Sequence, residues 1–548
     1  MISSFRIGFF LCLILLGSAA LIAGEDPTRP PWQSQSPTIR KADWSYTGPV
    51  NTVYTAANAP GTPNTEQLEL VTSLTQYDIT WTFDRPVRAG KFITGDWYIV
   101  GPVTITSISP KPLFGEDVKS DWKLIDQRSV KESLYEGKWA RNGSLLNPPV
   151  MHMYKGKLTD VTYIGFDSRL ADKHYDSTYF TQLPIAMKPG DSLLSTISAK
   201  EPLAAYDGHG QPVLAMAVLT CLSAPVPVDA FRPSYCDREQ HVYLARNLHR
   251  VLLYKLPRPA TSPANLSEWA RLFQRPWLET VSWGYANPEL NQPRYGQRTS
   301  RGSSITGMLL HLDYPELEKE RLLVHYVQYG IDLWGIVQNP VDKTTGKHPG
   351  SARWRGHGGF YGGHKWALIF SGIMLDDAAM RSPNTMYPNV EFGEDSQTAW
   401  GASWTGHKVV FTSHPSWAKS PPELVPPSGW EALRAESGNW TRGFQSEGYR
   451  RCCTSIEWPA EALAAHLMRA ESFWGHDPFF AYVDRWMDEE DIHATAATVL
   501  EASKKLASAE DKTNAGDWTL RMSRTDPMQQ EMWTTYRKNL PAPLSPTK

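Results

Sequence analysis

The chain has 548 residues, with 55 basic and 57 acidic side chains and a formal net charge of −2. That balance excludes a globally basic nucleic-acid binder and a protein held to anionic membranes by overall charge. The length exceeds one ordinary hydrophobic core and implies two or three domains, or one large helical domain with a smaller companion. Aromatic content is high, with 22 Trp, 23 Tyr and 18 Phe. Flat rings fill cores, and they also meet flat partners such as sugar rings.

The N-terminus reads as an export signal over residues 1–24. Arg6 supplies the positive charge, residues 7–16 form an apolar run, and Gly17, Ser18, Ala19 and Ala20 provide small residues for cleavage. This predicts a secreted or periplasmic protein, an uncleaved anchor being the alternative. Residues 25–50 are rich in Pro, Ser, Thr and Gln and read as a linker. Over residues 51–230, short β-branched or alternating runs are punctuated by Gly, Pro, Asp and Asn. Runs at 77–83, 97–107, 161–166, 192–198 and 213–220 predict an antiparallel β-sandwich-like domain.

From Asp237 onward the apolar period changes to three and four. Helices are predicted over 240–255, 266–273, 300–312, 316–337, 365–375, 459–474, 477–486 and 494–507. Successive helices with long decorated loops predict an (α/α)-toroid over residues 231–540, with room for five to seven helical pairs at ~40–50 residues each. The stretch from Met532 to Arg537 can dock one last helix, and residues 541–548 read as a disordered tail. The fold class expected is multidomain α+β.

Beyond the signal, four cysteines remain: Cys221, Cys236, Cys452 and Cys453. An exported compartment permits disulfides. Cys221 and Cys236 can close a loop, while Cys452 and Cys453 pair elsewhere or with each other. No His/Cys set has zinc spacing and no Asp-x-Asp-x-Asp loop is present, so neither a metal nor a cofactor is expected.

The stretch SARWRGHGGFYGGHKWALIFSGIMLDD, residues 351–377, carries the densest chemistry. Trp354, Arg355, His357, Tyr361, His364 and Lys365 sit among glycines that let a loop pass close to another surface. An apolar helix follows and fixes that loop. Asn339 ends the preceding helix. Three further groups stand out: NQPRYGQRTSR (291–301) with Tyr295 and Arg298, EFGEDSQTAWGASW (391–404) with Glu394, Asp395, Trp400 and Trp404, and QSEGYRRCCT (445–454) with Glu447, Tyr449 and Arg450. There is no G-x-S-x-G elbow, no P-loop and no dinucleotide fingerprint.

An exported, Trp-rich chain with a β region and a helical region resembles the (α/α)-toroid polysaccharide lyases and related glycoside hydrolases. In that class the toroid often comes first, which is the reverse of the order here. The resemblance implies β-elimination on a uronate polymer. It needs a group to neutralise the carboxylate, a base for the C5 proton and an acid for the leaving oxygen. Carried to this chain, Arg355 and Asn339 neutralise, His357 or His364 is the base, and Tyr361 is the acid. Trp354, Lys365, Tyr295, Arg298, Glu394, Trp400, Trp404, Tyr449 and Arg450 line the substrate site. The implied partner is an acidic polysaccharide, with no nucleic acid and no integral membrane contact after signal cleavage. Two alternatives stand beside it. One is a glycoside hydrolase using Glu394 or Asp395 with a second carboxylate such as Glu447 or Asp332. The other is a non-catalytic glycan-binding envelope protein.

Overall fold

A computed structural model describes residues 53–119, 139–148, 166–167, 180–199, 213–276, 296–339, 361–413, 421–430, 442–505 and 525–544, with residue 432 and a few isolated residues between 341 and 359. The signal segment, the linker and most of the strand predicted at 161–166 lie outside these residues. The protein contains both helices and sheets, and its main sheet is a curled half-barrel.

The strands are β1 (Glu69–Gln76), β2 (Ile79–Lys91), β3 (Trp97–Val100), β4 (Val103–Ser109), β5 (Leu113–Phe114), β6 (Ala140–Arg141), β7 (Ser144–Leu146), β8 (Ile185–Met187), β9 (Ser192–Ser198) and β10 (Val213–Leu222). In β2, Ile79, Trp81, Phe83, Val87 and Ala89 are buried, and the residues between them are not. That period of two is the signature of a strand with one covered face. The sheet order is β7-β9-β10-β3-β2-β4-β8, with β1 also on β2, and all pairs are antiparallel except β10 with β3. The runs predicted as a sandwich thus join one hydrogen-bonded sheet among the described residues. The run predicted at 97–107 divides into β3 and β4 at Gly101 and Pro102, because Pro102 has no N–H for the ladder. Gly101 is required there: a Cβ would lie 2.1 Å from Cys221 Sγ.

The helices are unusually enclosed. In Glu316–Gln338 every residue from Leu322 to Val337 is buried. The helices His364–Leu375 and Trp458–Leu467 are buried along their whole length. Helices apolar on all sides lie inside a large core. Glu316–Gln338 and His364–Leu375 approach closely at Gly330, where a Cβ would sit 2.0 Å from Ser371 Oγ.

One apolar cluster runs from Ile93 in the sheet region to Trp533 in the last helix, across the boundary expected at residue 230. A buried ion bridge crosses it too. Arg232 donates from Nε to Asp96 at 2.9 Å and from both terminal nitrogens to Asp332 at 3.0 and 2.6 Å. Arg232, Asp96 and Asp332 thereby fasten the sheet region to the central helix.

Several expectations are corrected. Residues 240–255 form no α-helix. Val242 and Leu244 are drawn into β-bridges with Tyr54 and Ala230, and two 3-10 turns follow at Ala245–Asn247 and Arg250–Leu252. The helix predicted at 459–474 breaks into Trp458–Leu467 and Glu471–Trp474. Arg469 in the break has φ 55°, and its guanidinium donates to His466 O at 2.5 Å and Pro541 O at 2.7 Å. Tyr254 Oη donates to Ala542 O at 2.8 Å, so the start of the expected tail is docked. The helix predicted at 477–486 is α-helical over Asp477–Asp484 and continues as a π-turn, Arg485–Glu489. Cys221 and Cys236 are unbridged and buried, and Cys452 is bonded to Cys453.

Candidate active site

The short strands Arg353–Trp354 and Glu391–Phe392 pair in parallel, which brings the glycine-rich loop beside the Glu394 turn. The loop then passes against the helix Gly296–Leu309. Gly363 adopts φ 81°, and a Cβ there would lie 2.6 Å from Ser303 Cβ. Only glycine combines that conformation with that clearance. Its N–H donates to Glu394 Oε1 at 2.7 Å.

His364 opens the next helix and is buried at 1% exposure. It sits within a ring of aromatics, with centroids of Trp354, Tyr329 and Tyr361 at 5.1, 5.9 and 5.9 Å. Tyr361 meets it edge-on at 90°. Tyr329 Oη lies 3.3 Å from His364 Nδ1. Lys365 is fully buried and pairs with Asp395, with the rings of Phe392 and Trp474 each 5.2 Å from its Nζ. Burial lowers the Lys365 pKa, and the attraction of Asp395 opposes the shift without cancelling it. Trp474 Nε1 donates to the other oxygen of Asp395 at 2.9 Å.

Behind His364 lies a carboxyl pair. Glu394 and Glu461 are both completely buried. Burial raises the Glu461 pKa well above the ordinary carboxylate range, and the neighbouring charge of Glu394 raises it further. Glu394 is raised by burial too, against the pull of the Gly363 N–H. Ser304 Oγ donates to Glu461 Oε1 at 2.8 Å, while Oε2 of each glutamate lacks a donor when both are ionised. The raised pKa of each favours its protonated form, in which the carboxyl proton relieves the burial of an unpaired charge. Sequence reading missed Glu461. The available signal was a lone glutamate in the apolar helix WPAEALAAHL.

The structure brings Trp354, Tyr361, His364, Lys365 and Glu394 together and places other expected residues elsewhere. Asn339 caps the helix Glu316–Gln338, its side-chain amide donating to Gly335 O at 3.1 Å. Tyr449 is buried, with its ring 6.0 Å from Phe411. Arg450 is not open to a substrate. It donates to Glu447 and Glu490 at 2.7 Å each and belongs to a buried set with Arg451, Arg485 and Glu423. Three guanidinium groups face three carboxylates there, at two π-turns, Arg450–Thr454 and Arg485–Glu489. Glu447 and Glu490 are held below the usual carboxylate range, because these arginines outweigh the opposing effect of burial. Trp404 packs edge-on against Trp430 at 6.3 Å, whereas Trp400 is 60% exposed. Tyr295, Arg355 and His357 lie outside the described residues, and only the backbone of Arg298 is described, in Gly296–Leu309.

Thr398 links the buried group to the surface. Its Oγ1 donates to Glu394 O at 2.9 Å and lies 3.0 Å from His476 Nε2. His476 and Trp400 line an open cleft of about 660 Å³. Among the described residues, no group of three or more His, Cys, Asp or Glu is arranged to hold a metal. No described helix is long and apolar enough to cross a membrane. Comparison with protein-family models, curated proteins and solved structures finds no match to this chain.

Proposed function

We propose that this chain is an exported carbohydrate-active enzyme that cleaves a uronate-containing polysaccharide by β-elimination, on an (α/α)-toroid-like helical region. The observation that carries the reading is the Tyr361–His364–Tyr329 cluster at the start of a buried helix, backed by two buried glutamates, Glu394 and Glu461. In this reading Arg355 neutralises the uronate carboxylate, which acidifies the C5 proton, and the Asn339 amide expected to assist it instead caps its own helix. His357 or His364 takes that proton, and Tyr361 protonates the departing glycosidic oxygen. The Tyr329 hydroxyl orients His364.

The hydrolase alternative is weaker on geometry. A glycosidase needs carboxyls roughly 5–5.5 or 6.5–9.5 Å apart. Glu394 and Glu461 are instead both fully buried with raised pKa values, which disfavours the ionised, substrate-facing carboxylate that hydrolysis needs. Asp395 is tied to Lys365 and Trp474, Glu447 to Arg450 and Arg451, and Asp332 to Arg232.

The test is ultraviolet absorbance of the purified chain with alginate, glucuronan, ulvan, pectate and glycosaminoglycans. β-Elimination leaves a conjugated double bond that absorbs. New reducing ends without absorbance would replace elimination with hydrolysis. Absence of both would support the glycan-binding reading.

A further inference from the structure

Of the three tryptophans expected to stack on sugars, two are occupied. Trp354 packs on His364 and Phe392, and Trp404 on Trp430. Trp400 is 60% exposed, and its indole makes no aromatic or cation–π contact among the described residues. It is held in place nonetheless: the strand Thr398–Trp400 pairs with Val409–Phe411, with Trp400 opposite Val409. An exposed indole on a paired strand is a ready face for a flat apolar partner. The cleft beside it is also lined by Glu471, Ser472, His476, Asp477 and Pro478.

The charges on those residues decide which partner fits. Glu471 Oε1 lies 2.6 Å from His466 Nδ1. Burial would raise the Glu471 pKa, but the His466 hydrogen bond outweighs it, so Glu471 stays an anion. Asp477 is an exposed carboxylate at the start of the helix Asp477–Asp484. Among the described residues, no Lys or Arg lines the cleft. A uronate ring placed on Trp400 would bring a third carboxylate toward Glu471 and Asp477, while Arg469 and Arg537, which attract Glu471, lie outside the cleft lining. A pyranose without a carboxylate meets no such repulsion. Its C–H face covers the indole, and its hydroxyls find Ser472, His476 and the acceptor oxygens of Asp477.

We propose that this cleft is a subsite for an uncharged pyranose ring stacked on Trp400, and that it rejects uronates. Thr398 joins the cleft to the Glu394 turn, so the subsite adjoins the buried cluster. If the cluster performs β-elimination, the substrate is a mixed polymer in which uronate residues neighbour uncharged sugars. That last step rests on the elimination reading; the subsite itself does not.

The experiment titrates the full chain with neutral tri- and tetrasaccharides of glucose, xylose and N-acetylglucosamine, and with trigalacturonate and triglucuronate. It reads intrinsic tryptophan fluorescence and calorimetric heat. At least one neutral oligosaccharide is expected to bind saturably, with uronates roughly tenfold weaker or worse. Trp400→Ala should abolish the neutral binding without changing the thermal melt, because the ring is exposed. Asp477→Asn should narrow the gap between neutral and uronate ligands. No neutral binding, binding that survives Trp400→Ala, or equal binding of uronates would overturn the proposal. Neutral binding in a chain that shows no elimination keeps the subsite and removes the elimination. Elimination with no Trp400-dependent binding does the reverse.

Discussion

Glu394 and Glu461 are buried neighbours with raised pKa values, and the Gly363 N–H and Ser304 hydroxyl each donate to one oxygen of the pair. A neutral amide at position 461 can imitate the protonated partner. Glu461→Gln should therefore keep its unfolding free energy within about 1 kcal/mol of the parent at pH 7. Glu461→Ala leaves a cavity and an unpaired Glu394, and should cost about 2–4 kcal/mol. Urea denaturation compares them, and equal losses for the two variants would rule out a protonated Glu461.

Glu457 gives a distinct pH signature. Burial raises its pKa from 4.5 to about 8, with Arg301 opposing the shift and Asp526 adding to it. The folded state thus holds the proton more tightly than the unfolded chain. Its stabilising contribution is complete below pH 4.5 and disappears as pH rises through about 8. Melting temperature should fall across that interval more steeply in the parent than in Glu457→Gln. Parallel pH curves for the two proteins would show that Glu457 is not the group responsible.

The cluster of Arg450, Arg451, Arg485, Glu423, Glu447 and Glu490 behaves in the opposite sense. Its glutamates Glu447 and Glu490 are held below the ordinary glutamate value of 4.5, so their stabilising contribution is present above that pH and lost as acid protonates them in the folded state. Removing one charge leaves a buried guanidinium without its partner. Glu490→Gln should cost about 3–5 kcal/mol, read by calorimetry or by loss of soluble expression. A melt like that of the parent would mean the cluster is hydrated and open.

In the β-elimination reading, Tyr361→Phe and His364→Asn should each lower turnover by roughly a hundredfold or more while leaving polymer binding in place. The readout splits kcat from KM by absorbance kinetics on whichever polymer the parent cleaves. A rise in KM alone would make both residues binding groups.

The helix Glu316–Gln338 was legible almost to the residue, since its apolar period is continuous and Pro315 precedes an acidic first turn. His364–Leu375 was legible for the same reason. Residues 240–255 misled because Val242 and Leu244 have helix-compatible spacing but find better partners in Tyr54 and Ala230, far away in the chain. The clustering of Trp354, Tyr361, His364 and Lys365 is local and could be read from the loop. The Glu394–Glu461 and Arg450–Glu490 pairings join distant segments, and periodicity carries no information about such meetings. Arg450 looked like a ligand group because sequence shows its charge and hides its partners.

Arg232 bears on how this chain can be divided. Its guanidinium lies on the helical side of the expected boundary, and one of its two carboxylate partners, Asp96, lies on the sheet side. Separating the polypeptide at residue 230 would strand Asp96 without its guanidinium in one fragment, and leave Arg232 Nε without its acceptor and a bare apolar face in the other. Neither fragment should fold when expressed alone. Grafting either part alone into another protein should therefore fail for want of the surface and the charge partner that the other part supplies.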